Sequence, residues 1–408
     1  MWSKFLDYTL RSFVRQGTLD VGLPDGTKLT FGTGDAPRCH VLVRDYSTLR
    51  RIVLNPELAV GEAYMRGGLK IENDDVRGFL KVVLLNLDQA ERAWWQRWHL
   101  RMRTRLRHFM LKNAPALSKK NVAHHYDLSG DLYNLFLDED RQYSCAYFRT
   151  PADTLEQAQV QKKNHIAHKL RIERGMHVLD IGCGWGGMAL TLARDYGAHV
   201  TGITLSEEQL AVAKQRAANE GLQHQVDFQL IDYRELDGSY DRIVSVGMFE
   251  HVGLPHFDTY FETINKRLTP DGIALVHTIG ANTPAGGTNA WIAKYIFPGG
   301  YIPNLSEVAG AIERQDLRVT DVELLWTHYA ETLRHWQQRF EANVDKVASL
   351  YDQTFVRMWR FYLAACEMTF RHRAQTVFQF QLTKSANVVP MTRDYLYAHD
   401  RTVRQAAE

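Results

Sequence analysis

Val178-Leu179-Asp180-Ile181-Gly182-Cys183-Gly184-Trp185-Gly186-Gly187 is the stretch on which the fold turns. An apolar run suited to a buried strand enters a glycine-rich turn, and 188–196 continues with helical patterning. Glycine lets the backbone pass close to a bound nucleotide, and N–H groups at a helix start face such a ligand. A dinucleotide site would add an acid about 20 residues on, at the end of the second strand. Here that strand ends Gly202-Ile203-Thr204-Leu205-Ser206, without a carboxylate, and the third glycine falls one place early if counted at Gly186. NAD is therefore disfavoured. Asp180, just ahead of the first glycine, suits S-adenosylmethionine, whose amino-acid end a nearby carboxylate can organise. A purely structural turn is the alternative.

Outward from this stretch, strands are expected at 199–204, 226–231, 242–246 and 273–277, with a helix at 207–219. This βαβ alternation predicts an α/β domain over 121–408. A long helical region at 330–371 and an alternating run, Val377-Phe378-Gln379-Phe380-Gln381-Leu382, close it. Residues 1–90 read as a smaller α+β domain. It has a helix over 1–16, a hairpin around Pro24-Asp25-Gly26 with strands at 19–21 and 29–31, a strand at 40–43, and helices at 46–54, 60–65 and 76–87. Between the two, 91–120 is basic and free of acids from Arg92 onward. Trp95, Trp98, Met102, Leu106 and Phe109 share one helical face, and Arg97, Arg101 and Arg105 share another. This is either a linker helix packed by its tryptophans or a basic amphipathic helix for an anionic membrane surface.

Composition narrows the classes. The 408 residues carry 49 Lys+Arg against 47 Asp+Glu, a net charge of +2, too balanced for a charge-driven nucleic-acid binder. Four cysteines, Cys39, Cys145, Cys183 and Cys366, lie far apart. No metal site and no disulfide framework is expected, and reduced thiols fit the cytoplasm. The longest uncharged stretch, 272–293, is broken by Gly280, Pro284, Gly286 and Gly287 and is too polar to span a bilayer.

DIGCGWGG (180–187), GITLSEEQ (202–209), SVGMFEHVG (245–253), HYDLSGDLYNLFLD (125–138) and YSCAYF (143–148) together resemble the cyclopropane-fatty-acyl-phospholipid synthases and the related mycolic acid methyltransferases. The resemblance implies a class I, Rossmann-like methyltransferase with a seven-stranded sheet. It assigns S-adenosylmethionine to Tyr143, Ser144, Asp180, Gly182, Gly184, Thr204, Leu205, Gln209, Asp232 and Tyr233, with neutral Thr204 and Gln209 replacing the missing acid at the ribose side. It also implies a bound bicarbonate base caged by Cys145, Glu250, His277, Ile279 and Tyr329. Tyr329, an imidazole N–H and the Ile279 amide would hold the anion, and Glu250 would accept its proton and orient the His277 ring. This set contains no lysine.

Cys366 has been suggested as a nucleophile in such enzymes, but methyl transfer to an alkene needs no covalent enzyme intermediate. Without the resemblance, Cys145, His277, Tyr329 and Cys366 each have packing as an alternative role. The aromatic stretch 290–301 is expected to wall an acyl tunnel. The implied substrate is an unsaturated phospholipid acyl chain taken from the bilayer surface at the inner membrane face, with the N-terminal domain helping to bind lipid. A homodimer is left open. The rivals are an enzyme that stops after methyl or methylidene addition, a small-molecule N-methyltransferase on the same scaffold, and an inactive lipid binder.

Overall fold

The computed structural model describes residues 1–87, 130–283 and 288–397. The basic segment with Arg97, Arg101 and Arg105 lies outside the described residues.

In the first unit, α1 (Trp2–Phe13) precedes β1 (Thr18–Gly22) and β2 (Lys28–Gly32), which pair antiparallel. Their turn is set locally: Gly26 takes φ 85°, and Asp25 Oδ1 accepts from the Thr27 amide at 2.9 Å. β3 (Arg38–Val43) runs parallel to β1, and β4 (Leu69–Ile71) antiparallel to β3. α2 (Tyr46–Leu54), α3 (Pro56–Met65) and α4 (Val76–Leu87) complete the unit. Asp45 caps α2 by accepting from the Thr48 amide at 2.7 Å, and Pro56 opens α3.

The second unit runs α5 (Gly130–Asn134), α6 (Leu155–Leu170), β5 (His177–Ile181), α7 (Gly187–Tyr196), β6 (His199–Thr204), α8 (Glu207–Asn219), β7 (Val226–Leu230), β8 (Tyr240–Val246), α9 (Phe257–Arg267) and β9 (Leu268–Ala281). It continues with α10 (Ala290–Tyr295), α11 (Leu305–Glu313), β10 (Arg318–Leu324), α12 (His328–Ala342), α13 (Val344–Leu350), α14 (Gln353–His372) and β11 (Gln375–Thr383). The seven strands lie in the order β10-β11-β9-β8-β5-β6-β7. Four neighbouring pairs are parallel, and β11 enters antiparallel between β9 and β10. This is the class I methyltransferase sheet that the motifs imply. The order of the strands reverses at the parallel pair β5 and β8, and the loops leaving their carboxyl ends diverge around a crevice.

The helical region 330–371 comprises three helices, broken at Asn343 and at Tyr351-Asp352, where Asp352 restarts the helix by accepting from the Phe355 amide at 2.7 Å. The alternating run forms β11, which is paired on both sides and covered on both faces. Its glutamines are buried with partners: Gln379 meets the His277 ring, and Gln381 donates to the Lys169 carbonyl and to Tyr395 Oη at 2.8 Å.

The two units share a core. Arg77 of α4 donates to Glu367 of α14 at 2.6 Å, and that carboxylate also takes Arg371 at 2.8 Å. Glu62 of α3 accepts from Lys294 and Tyr295 of α10, both at 2.7 Å. Gly61 permits this approach, since a Cβ there would lie 2.5 Å from Trp291 Nε1. Much of the stretch expected to wall an acyl tunnel is thus spent on the domain seam. Phe297 instead stands on the site side, 5.9 Å from the Tyr362 ring and 6.2 Å from His251.

Candidate active site

At the carboxyl end of β5, Gly182, Gly184 and Gly186 take φ of 82°, 55° and 86°, and the chain turns into α7. Gly187 holds the third place of the G-x-G-x-x-G spacing, and Gly186 is an additional glycine that packing requires, since a Cβ there would lie 2.7 Å from Phe228. All ten residues assigned to S-adenosylmethionine line one pocket at the crevice. Arg141, Gln142, Trp185 and His251, which sequence reasoning did not single out, line it too.

Asp180 is 1% exposed in the pocket wall. Burial pushes its carboxyl up to about 7, against the pull of the Lys162 charge, and Oδ2 has no hydrogen-bond partner in the protein. An acceptor left open in this way suits a ligand ammonium. Thr204 Oγ donates to Gln209 Oε1 at 3.1 Å, so neutral groups stand where a dinucleotide site has its acid. Asp232 lies beyond the end of β7. Burial would raise its carboxyl, but bonds from Arg234 at 2.8 and 2.6 Å hold it below its usual range. The same guanidinium sits 5.4 Å from the Tyr233 ring centroid. These residues fit a nucleoside carrying a charged amino-acid end.

The segment 138–144 covers this pocket and is clamped onto α6 and α8. Asp140 takes Lys163 at 2.6 Å and also Arg216. Gln159 donates to the carbonyls of Gln142 and Ser144. Lys162, wholly buried, donates to Gln142 Oε1 at 2.7 Å and Ser144 Oγ at 2.8 Å.

The six residues assigned to catalysis lie behind this pocket and do not form its wall. Glu250, in a single helical turn after β8, accepts from the Ile279 amide at 2.6 Å through Oε1. Burial pushes its carboxyl up to about 7, and Oε2 has no protein partner. His277 lies inside β9; its carbonyl accepts from the Gly247 amide at 2.9 Å, and burial holds its ring neutral. Cys145 is buried, with its thiol raised by burial and 3.3 Å from the Ala146 carbonyl. Tyr329 is in the first turn of α12, its ring edge-on to Trp336 at 5.9 Å. Cys366 lies on α14, its thiol pushed up to about 12 by burial. Tyr362 ties this side to the pocket, its hydroxyl 2.8 Å from that of Tyr143, and Tyr143 stacks on Trp336 at 5.1 Å.

Two details depart from expectation. The Ile279 amide is engaged by Glu250 rather than aimed at an anion. The His277 ring is met by Gln379, at 3.1 Å from Nδ1, and not by Glu250. Lys162, held by Gln142 and Ser144, is no member of this set, but its charge acts on both Cys145 and His277. No grouping able to hold a metal ion occurs among the described residues.

A family model described as mycolic acid cyclopropane synthetase matches residues 114–380, and a domain of unknown function matches 5–90. A probable fatty acid methyltransferase of Pseudomonas putida is 37% identical over 93% of this chain and 96% of its own length. The cyclopropane-fatty-acyl-phospholipid synthase of Escherichia coli K12 is 39% identical over 83% of this chain and 86% of its own. Among solved structures, a mycolic acid cyclopropane synthase complexed with SAH and CTAB superposes with TM-score 0.62 at 34% identity, covering 65% of this chain and 97% of that one. With a glycine-turned pocket, an open carboxylate in its wall and a family match over most of the second unit, the chain belongs to the mycolic acid cyclopropane synthetase family and is an S-adenosylmethionine-dependent methyltransferase.

Proposed function

We propose that the enzyme adds a methylene across the cis double bond of an unsaturated phospholipid acyl chain, at the cytoplasmic face of a bilayer, with bicarbonate as the base. The alkene π pair attacks the sulfonium methyl, the S–CH3 bond breaks, and S-adenosylhomocysteine leaves. Positive charge then sits on the acyl chain. Removing a proton from the new methyl lets its C–H pair close the three-membered ring. Bicarbonate, when bound, supplies the group that takes this proton. The protein supplies a dry surround whose aromatic faces, Tyr143, Trp336 and Tyr362, tolerate a cation.

Glu250 carries the reading. Its Oε1 is pinned by the Ile279 amide, which leaves Oε2 free to hold a proton donated by an anion beside it. Support also comes from the name of the E. coli relative. No described helix is long and apolar enough to cross a membrane, and the reading has the enzyme reach the acyl chain from the bilayer surface. The name of the P. putida relative favours a second reading, in which reaction stops at a methyl or methylidene product.

The test is purified enzyme on vesicles of unsaturated phospholipid, freed of dissolved carbon dioxide. Activity should fall and return with added bicarbonate, and the product should gain one CH2 while losing its capacity to take up hydrogen. Full activity without bicarbonate removes the base, and a product that still takes up hydrogen favours the second reading.

A further inference from the structure

Lys162 is wholly buried on α6, and no motif marks it. A buried ammonium costs much free energy unless paired. Burial pulls this one down to about 8, while Asp138 and Asp140 act to keep it charged. Its direct partners are neutral: Gln142 Oε1 and Ser144 Oγ. An ammonium is donor-only, so at both contacts the oxygen must accept. A serine hydroxyl has one proton. With its oxygen accepting from Lys162, that proton is left to be donated elsewhere, and Ser144 lines the pocket. Lys162 also acts on Asp180 across the same wall. The pocket end between Ser144 and Asp180 therefore offers one polarised donor and one open carboxylate, the pair that a zwitterionic amino acid requires.

We propose that Lys162 is a positioning residue that fixes the Ser144 hydroxyl as a donor to the carboxylate of the cosubstrate's amino-acid end. It acts through Ser144 and does not touch the ligand. Its effect is selective: ligands bearing the α-amino-acid group feel it, and nucleosides lacking that group do not. The inference rests on the cosubstrate assignment and is independent of which acyl chain is modified.

Titration calorimetry with two probes tests it, S-adenosylhomocysteine and 5′-methylthioadenosine, which lacks the amino-acid end. Lys162→Met should weaken the first about tenfold, as expected for a charge-assisted hydrogen bond, and the second less than about twofold. Ser144→Ala, which leaves the buried lysine in place and covers the case of a Lys162→Met chain that fails to fold, should show the same selective loss. Adding Lys162→Met to Ser144→Ala should cost little further selectivity, because both act at one contact. Equal weakening of both probes, no weakening, or additive losses would each overturn the role. A wild-type chain that binds neither probe would remove the cosubstrate assignment itself.

Discussion

Asp180 and Glu250 are two carboxyls in nearly the same predicament. Both are buried, burial pushes both up to about 7, and each keeps one oxygen without a protein partner. The difference is in what stands beside them. Asp180 feels the Lys162 charge from across a pocket wall built of strand ends and glycines. Glu250 has the Ile279 amide on one oxygen and only the neutral Thr278 side chain acting on it besides the backbone. A carboxyl next to a cation is biased toward its charged form and suits holding a ligand's positive end. One without a cation, poised near neutrality, suits exchanging a proton.

The largest test of that contrast is Glu250→Gln, which keeps the acceptor for Ile279 and removes the proton-binding oxygen. Turnover should drop on the order of 10³-fold, while calorimetric affinity for S-adenosylhomocysteine stays within about twofold. A matching loss in affinity would erase the distinction between the two carboxyls.

The second test is thermodynamic. The folded Glu250 carboxyl titrates at about 7 instead of 4.5, so the folded state holds a proton that the unfolded chain has released. Its stabilising contribution is full below the lower value and is lost as pH rises through the higher one. Between about pH 5 and pH 7.5 the wild type should lose about 2–3 kcal/mol relative to Glu250→Gln in urea unfolding. A pH-independent difference would mean that the carboxyl is not raised.

Asp180→Asn should act on the other half. Affinity for S-adenosylhomocysteine should fall about tenfold, with turnover at saturating cosubstrate changed less than about threefold. A turnover effect as large as that of Glu250→Gln would make Asp180 part of the chemistry. The smallest effect belongs to Cys366→Ala. A thiol at about 12 is not a nucleophile at neutral pH, and activity should stay within about threefold. A loss above tenfold in the same steady-state assay would return Cys366 to the reaction.

The two halves were also unequally legible. The pocket is written in contiguous motifs at strand ends, where glycine, turn and helix start are local matters. From Val178 to Gly187 residue type and spacing alone place the loop, and β6 and α8 have the bounds that their periodicity predicts. The residues proposed for the anion cage come from β9, the turn after β8, α12 and the loop after α5, and only a family resemblance could gather them. Lys162 escaped notice because lysine on a helix reads as solvated. The available signal was spacing: Leu155, Ala158, Lys162, Ile166 and Lys169 share the buried face of α6. Gln379 was hidden likewise, since alternation in β11 reads as an exposed face. Tertiary burial of polar side chains overrode the local pattern in both cases.

The seam between Gly61 and Trp291 has an evolutionary consequence. A lineage that shed residues 1–87 could not do so by deletion alone. Trp291 and Phe361, whose rings meet at 4.9 Å beneath Tyr64, would be uncovered together, and Glu367 would keep only Arg371 of its two cationic partners. An uncovered aromatic face of that kind favours self-association. Gain or loss of the N-terminal unit must therefore travel with substitutions on α10 and α14. Those two helices are where single-unit and two-unit forms of the enzyme should differ most in residue polarity, while the glycine turn and the open carboxylates stay as they are.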